Sequence, residues 1–254
     1  MEGIIMKWPV VKLCEAQLQD VNKSDILNDG LYRKCNTYKG GGGYDQFPKI
    51  YAKRYGLLDN KLKLNNQFVV QLQGCPLKCP YCYVTAEGIN GNATLVTTVN
   101  LYNAFCDSGC DVFHLMGGAP GLYIEHWYEI IELLDKPFHS DLLLVEKEYD
   151  KYIIERLAHY KNTLYAVSIK GTSEEEFYKN TQTKLNSQLF WNNLDVLITY
   201  DFPFYLTFTG MSDESIYRFK ELILKRYNSD TILADSFKID LIKYKALDYR
   251  QDSN

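Results

Sequence analysis

The chain has 254 residues, 46% of them hydrophobic and 24% charged, with a formal net charge of -4. That size and balance predict one soluble domain with a full core, and the interspersed charges with a net acidic excess argue against duplex nucleic acid as a partner. No stretch approaches the ~20 apolar residues of a membrane span, and Lys7, Pro9, Lys12 and Glu15 leave no signal-peptide core, so no membrane association and a cytoplasmic location are expected.

Residues 1 to 66 read as an amino-terminal extension. A helix is predicted near 10 to 28, ending at Asn28-Asp29-Gly30. Gly40 to Gly43 form a glycine tract suited to a loop, and YGLLDNKLKL, turning at Asp59-Asn60, reads as a hairpin. From residue 67 onward, short apolar runs alternate with amphipathic stretches, the rhythm of strand and helix units around a parallel sheet. Strands are predicted at 67 to 73, 111 to 116, 141 to 146, 163 to 169, 203 to 209 and 237 to 243. Helices are predicted near 98 to 109, 123 to 135, 150 to 161, 174 to 180, 185 to 199 and 214 to 226, with apolar residues recurring at three and four. Thr172 and Ser173, followed three residues later by Glu175 and Glu176, form capping boxes, and Ser212-Asp213 marks another helix start.

Six such units make either an open doubly wound sheet or an incomplete barrel, and in both the ligands gather at the carboxyl ends of the strands. The segments GCPLKCPYC, GGAP, EKE, KGT, TGMSD and YK follow strands one to six in turn, which concentrates the chemistry on one rim.

The strongest of these segments holds Cys75, Cys79 and Cys82 within eight residues. A structural zinc or a fully protein-ligated four-iron cluster needs four protein ligands, so three thiolates on one loop predict a metal centre with an open coordination position. A zinc site completed by a distant ligand such as Cys35 or His114 is the competing reading. Seven cysteines is an odd number, and the tight trio is poorly placed for internal pairing, which weighs against a disulfide framework. Cys14, Cys35, Cys106 and Cys110 are enough for a second cluster, but Cys106 falls in a helical pattern and Cys110 at a strand start, where buried cysteines are common. His114, His126, His139 and His159 show no ligand spacing and read as structural.

The segment FVVQLQGCPLKCPYCYV resembles the signature of the radical S-adenosylmethionine (radical SAM) superfamily, and within it the organic-radical activating enzyme group. The resemblance implies an α/β fold with an incomplete (β/α)6 parallel barrel, a partial TIM barrel, over residues 67 to 250, followed by a short tail at 251 to 254. It implies a [4Fe-4S] cluster on the three cysteines and S-adenosyl-L-methionine (SAM) on the remaining iron. Such an oxidoreductase-like enzyme cleaves SAM reductively to a 5'-deoxyadenosyl radical, which takes hydrogen from a peptide, protein or small-molecule substrate. A reducing partner such as flavodoxin or ferredoxin is implied as well.

By the same resemblance Tyr81, before the third cysteine, lies near the adenine. In HLMGGAPGL, Gly117, Gly118, Ala119 and Pro120 look like the family's glycine-glycine-glutamate-proline motif, which holds the methionine amino group; Ala119 stands where the acid usually is. Ser168 and Lys170 share one face of the fourth predicted strand and, by resemblance, contact the cofactor's carboxylate or ribose. Glu146, closing the third, is expected beside the cofactor; Thr207, Thr209, Tyr244 and Lys245 are weaker rim residues. Tyr83-Val84 follow the third cysteine where the activating enzymes have His-Asn, so a small-molecule synthase of the deazaguanine-forming type stays open, as does a non-catalytic iron-sulfur or zinc protein.

Overall fold

The computed structural model describes residues 6–36, 46–57, 64–84 and 89–239. The Gly40 to Gly43 tract, the turn of the expected hairpin, and Tyr244 and Lys245 lie outside the described residues. In chain order the strands are β1 (Lys7–Val10), β2 (Ile26–Leu27), β3 (Tyr32–Asn36), β4 (Asn66–Gln71), β5 (Thr94–Thr97), β6 (Val112–Met116), β7 (Phe138–Leu142), β8 (Thr163–Ile169), β9 (Phe204–Thr209) and β10 (Phe237–Ile239). The helices are α1 (Glu15–Leu18), α2 (Gln46–Arg54), α3 (Thr98–Ser108), α4 (Trp127–Ile131), α5 (Lys151–Ala158), α6 (Glu174–Thr181), α7 (Ser187–Thr199) and α8 (Asp213–Tyr227). Among the described residues no helix is long and apolar enough to cross a membrane.

One sheet in the order β10-β9-β8-β7-β6-β4-β3-β2 organises the molecule. From β10 through β4 every neighbour is parallel, giving the six-stranded parallel core of an incomplete barrel. The extension adds to it: β3 pairs antiparallel with β4, and β2 with β3. A two-stranded sheet of β1 and β5 stands beside it.

Because side chains alternate across a strand, each strand has one residue set facing the outer helices and one facing the lumen. The outward set, including Phe68, Val70, Phe113, Leu115, Tyr165, Val167, Leu206 and Phe208, is fully or almost fully buried in the main core beneath the helices. The lumen has a smaller core of its own, in which Phe47, Ile50 and Tyr51 of α2 pack against Val112, Leu164, Ala166 and Tyr205. A helix of the extension therefore plugs the barrel floor. Full burial of a side chain the size of Phe47 contributes about 2–3 kcal/mol, and the Tyr55 hydroxyl following α2 donates to the Thr163 carbonyl at the foot of β8.

Helix starts follow their polar caps. Ser173 accepts from the Glu176 N–H at 3.2 Å while the Glu176 carboxylate accepts from the Thr172 N–H at 3.3 Å, a near-complete capping box, and Ser212 caps α8 through the Ser215 N–H.

Two expectations are corrected, and one helix is added. The stretch 10 to 28 is not one helix: only Glu15–Leu18 is α-helical, and the rest forms turns and β2. Val11 and Leu13 are buried while Lys12 between them is exposed, an extended alternation, and Asn28 and Asp29 take positive φ. The third parallel strand runs 138 to 142, not 141 to 146. Its lumen-facing His139 and Asp141 are polar, so hydrophobicity alone moves the strand onto the following Leu143-Leu144-Val145, where Leu144 breaks the extension with φ +64. Helix α2 is absent from the sequence reading because Pro48 masks it, yet proline is tolerated in a first turn, where the N–H has no intrahelical acceptor.

Candidate active site

The carboxyl ends of the parallel strands border a cavity of about 270 Å³. Cys75, Cys79 and Cys82 line one wall, on the loop that leaves β4; Gly117, Gly118 and Pro120 follow β6; Ser168 comes from β8 and Lys170 directly follows it; Thr207 and Thr209 come from β9.

Backbone bonds between distant segments hold the cysteine loop. The Lys78 N–H donates to the Thr181 carbonyl at 2.8 Å, the Ala119 N–H donates to the Gly74 carbonyl at 2.7 Å, and the Tyr123 hydroxyl donates to the Gln73 carbonyl at 2.9 Å. The glycine turn is shaped by the same approach. Gly118 has φ +59, and a Cβ there would lie 2.4 Å from the Leu72 carbonyl oxygen and 2.5 Å from that of Gly74. Only glycine lets the turn after β6 lie against the cysteine loop.

No disulfide joins any of the seven cysteines. Burial pushes the Cys75 thiol up to about 12 and raises that of Cys79, and in both cases the Lys170 ammonium opposes the shift. Desolvated thiols of this kind hold their protons until a cation replaces them. Lys170 Nζ lies 5.4 Å from the centre of the Tyr81 ring. Burial, with Cys79 next to it, keeps the Tyr81 phenol neutral.

The donor set fits a four-iron cluster. Among the described residues the three thiols are not among the donors gathered tightly enough for a single ion, as a mononuclear zinc site would require, and no fourth cysteine lines the cavity. Cys35 is buried on β3, and His114 belongs to a different cluster, so neither is gathered with the trio to complete such a site.

Of the residues picked out in the sequence, Cys75, Cys79, Cys82, Tyr81, Gly117, Gly118, Pro120, Ser168 and Lys170 are brought together around the cavity. Ala119 and Glu146 do not line it. Ala119 is buried against Leu77 and Cys79. Glu146 lies beyond the end of β7, and its carboxylate accepts from the Leu143 N–H at 3.0 Å and the Tyr149 hydroxyl at 2.7 Å. Replacing Glu146 with alanine leaves both buried donors unsatisfied, so the expected result is a loss of about 2 kcal/mol or more in urea unfolding, with SAM affinity nearly unchanged.

The sequence reading missed Arg33, His114, His139, Asp141 and Tyr205, which also line the cavity. Arg33 belongs to the extension; its guanidinium sits 5.0 Å from the centre of the Tyr83 ring and contacts the Met116 sulfur at 3.4 Å. His114 and His139, read from the sequence as structural, both face the lumen. Linear spacing carries no sign of it; the signal was strand parity, since His114 lies two residues before Met116 at the rim end of β6.

A family model described as the radical SAM superfamily matches residues 69–224. No curated protein is matched. Among solved structures, native anSMEcpe with bound AdoMet aligns at 15% identity and a TM-score of 0.49, over 67% of this chain and 50% of its own. Streptococcus suis SuiB aligns at 12% identity and 0.47, over 83% and 51%, and methylornithine synthase (PylB) at 13% and 0.41, over 79% and 61%. The chain spans about half the length of the first two.

Proposed function

This chain belongs to the radical SAM superfamily, and from that premise we propose that it is an enzyme that binds a [4Fe-4S] cluster through Cys75, Cys79 and Cys82 and cleaves SAM reductively. The observation that carries the proposal is the meeting of three cysteines, without a fourth, with the Gly117-Gly118 turn and Lys170 on one cavity. A cluster held there would supply an electron for the reductive cleavage of SAM, the chemistry by which such an enzyme removes a hydrogen atom from its substrate.

The protein's own part is to bind and to orient. Gly117 and Gly118 allow backbone groups close to the methionine amino group. Lys170 would offer positive charge to the SAM carboxylate, and Ser168, two residues earlier on β8, a hydroxyl at the same rim. Tyr81 gives the adenine an apolar surface. The floor formed by α2 closes the lumen from below and limits water access to the reacting centre. A peptide, protein or small molecule enters from the rim, and a flavodoxin- or ferredoxin-like partner supplies electrons.

Anaerobic reconstitution with iron and sulfide, then incubation with SAM and dithionite, should release 5'-deoxyadenosine and methionine even without substrate. A reconstituted protein that takes up no acid-labile sulfide and yields no deoxyadenosine would refute the proposal. Lys170→Ala is expected to weaken SAM binding about tenfold, since a charge-assisted hydrogen bond contributes about 1.5–3 kcal/mol. Equilibrium dialysis measures it; an unchanged affinity would remove Lys170 from the site.

A further inference from the structure

Beneath the rim the lumen holds a second group of donors. Register places His114 of β6 directly beside His139 of β7, and Asp141 two residues higher on β7. One donor atom from each of the three lies within 4.8 Å of the others, and among the described residues this is the only such group. The two imidazole centres are 4.1 Å apart, and His114 Nε2 is 3.8 Å from the Asp141 carboxylate. From below, Phe47 of α2 packs against His139 with ring centres 4.4 Å apart.

We propose that His114, His139 and Asp141 form a second metal site, for a divalent transition ion such as zinc or ferrous iron, on the floor of the cavity. Three donors within 4.8 Å of one another share a centre no more than roughly 2.8 Å from each. Metal–nitrogen and metal–oxygen bonds of about 2.0–2.2 Å therefore require each donor to move by well under about 1 Å, within reach of side-chain torsions on a fixed sheet.

His139 gives the second, independent sign. Its Nε2 lies 3.0 Å from the Tyr205 hydroxyl, while its buried Nδ1 has no hydrogen-bond partner among the described residues. In the tautomer that carries the proton on Nε2, the ring donates to the Tyr205 oxygen and presents a lone pair at Nδ1, the arrangement that orients metal-bound histidines. An unsatisfied buried nitrogen calls for a missing partner, and an ion supplies it. Two imidazoles and one carboxylate select a transition metal over magnesium. Asp141 is about a third exposed, so the ion keeps positions open toward the cavity, where an oxygen or nitrogen donor of a bound substrate can ligate.

The test removes the iron-sulfur ligands, so that its outcome is independent of the proposed cluster. The chain carrying Cys75→Ala, Cys79→Ala and Cys82→Ala is stripped with chelator and titrated with cobalt(II). One ion per chain is expected, with the weak visible bands of nitrogen and oxygen ligation; zinc displaces it and magnesium does not. Adding Asp141→Asn should weaken binding at least tenfold, and adding His139→Ala should abolish it. A second measurement keeps the cysteine loop intact: zinc-loaded protein with all its cysteines should hold one ion more than its His139→Ala variant. No cobalt binding by the cysteine-free loop, or equal zinc content with and without His139, would overturn the site.

Discussion

Replacing Cys79 with alanine is expected to reduce the reconstituted acid-labile sulfide content from about four per chain to near zero and to abolish deoxyadenosine formation, without unfolding the protein. Cys79 is only 6% exposed and packs in an apolar cluster with Leu77, Ala119, Leu143, Phe177 and Leu185, so alanine removes a single sulfur from a well-filled region. A change of that size costs on the order of 1 kcal/mol. The effect on chemistry is far larger, because two thiolates cannot retain a cluster that must leave one corner open. Circular dichroism checks the fold, iron and sulfide assays the cluster, and chromatography the cleavage products. Cys106→Ala, at an exposed helix position, should leave all three readouts unchanged. A Cys79→Ala protein that still cleaves SAM would contradict the assignment of the cysteine loop.

Gly118→Val is the second change with a large expected effect, and it acts through the backbone. The positive φ at this position already disfavours a β-branched residue by about 1–3 kcal/mol, and the added Cβ would meet the carbonyl oxygens of Leu72 and Gly74 at 2.4 and 2.5 Å. Those oxygens belong to the strand end and loop that carry Cys75, so the turn after β6 must move away from the cysteine loop. SAM affinity is expected to fall about a hundredfold, which corresponds to about 2.7 kcal/mol, while iron content falls much less. Isothermal titration of the reconstituted protein with SAM measures the first and an iron assay the second. If SAM binds the valine variant as tightly as the parent, the glycine turn is not part of the cofactor site.

Much of this was legible in the residues. Apolar runs marked the parallel strands apart from β7, and the positions of β4, β6, β8 and β9 agree with the sequence expectation to within a residue or two. Polar caps at Ser173 and Ser212 marked α6 and α8 for a local reason, since a side-chain oxygen near an unpaired N–H acts over three residues. The meeting of Cys75, Cys79 and Cys82 on one cavity wall was legible because all three lie on a loop only eight residues long. Glu146 was misplaced for the opposite reason: a charged residue after an apolar run reads as a strand-end contact, and nothing local shows that Leu143 and Tyr149 occupy its carboxylate.

The sequence alone determined the α/β class of fold and the three-cysteine loop, because both depend on periodicity and spacing within short stretches of chain. Tertiary structure decided how the extension is used, with β3 widening the sheet and α2 entering the lumen, since the partners of Phe47 and Tyr51 lie on strands more than sixty residues away. It also decided that His114, His139 and Asp141 meet. Their convergence depends on the register between β6 and β7, which is fixed by packing of the whole sheet and leaves no trace in the linear spacing of the three residues.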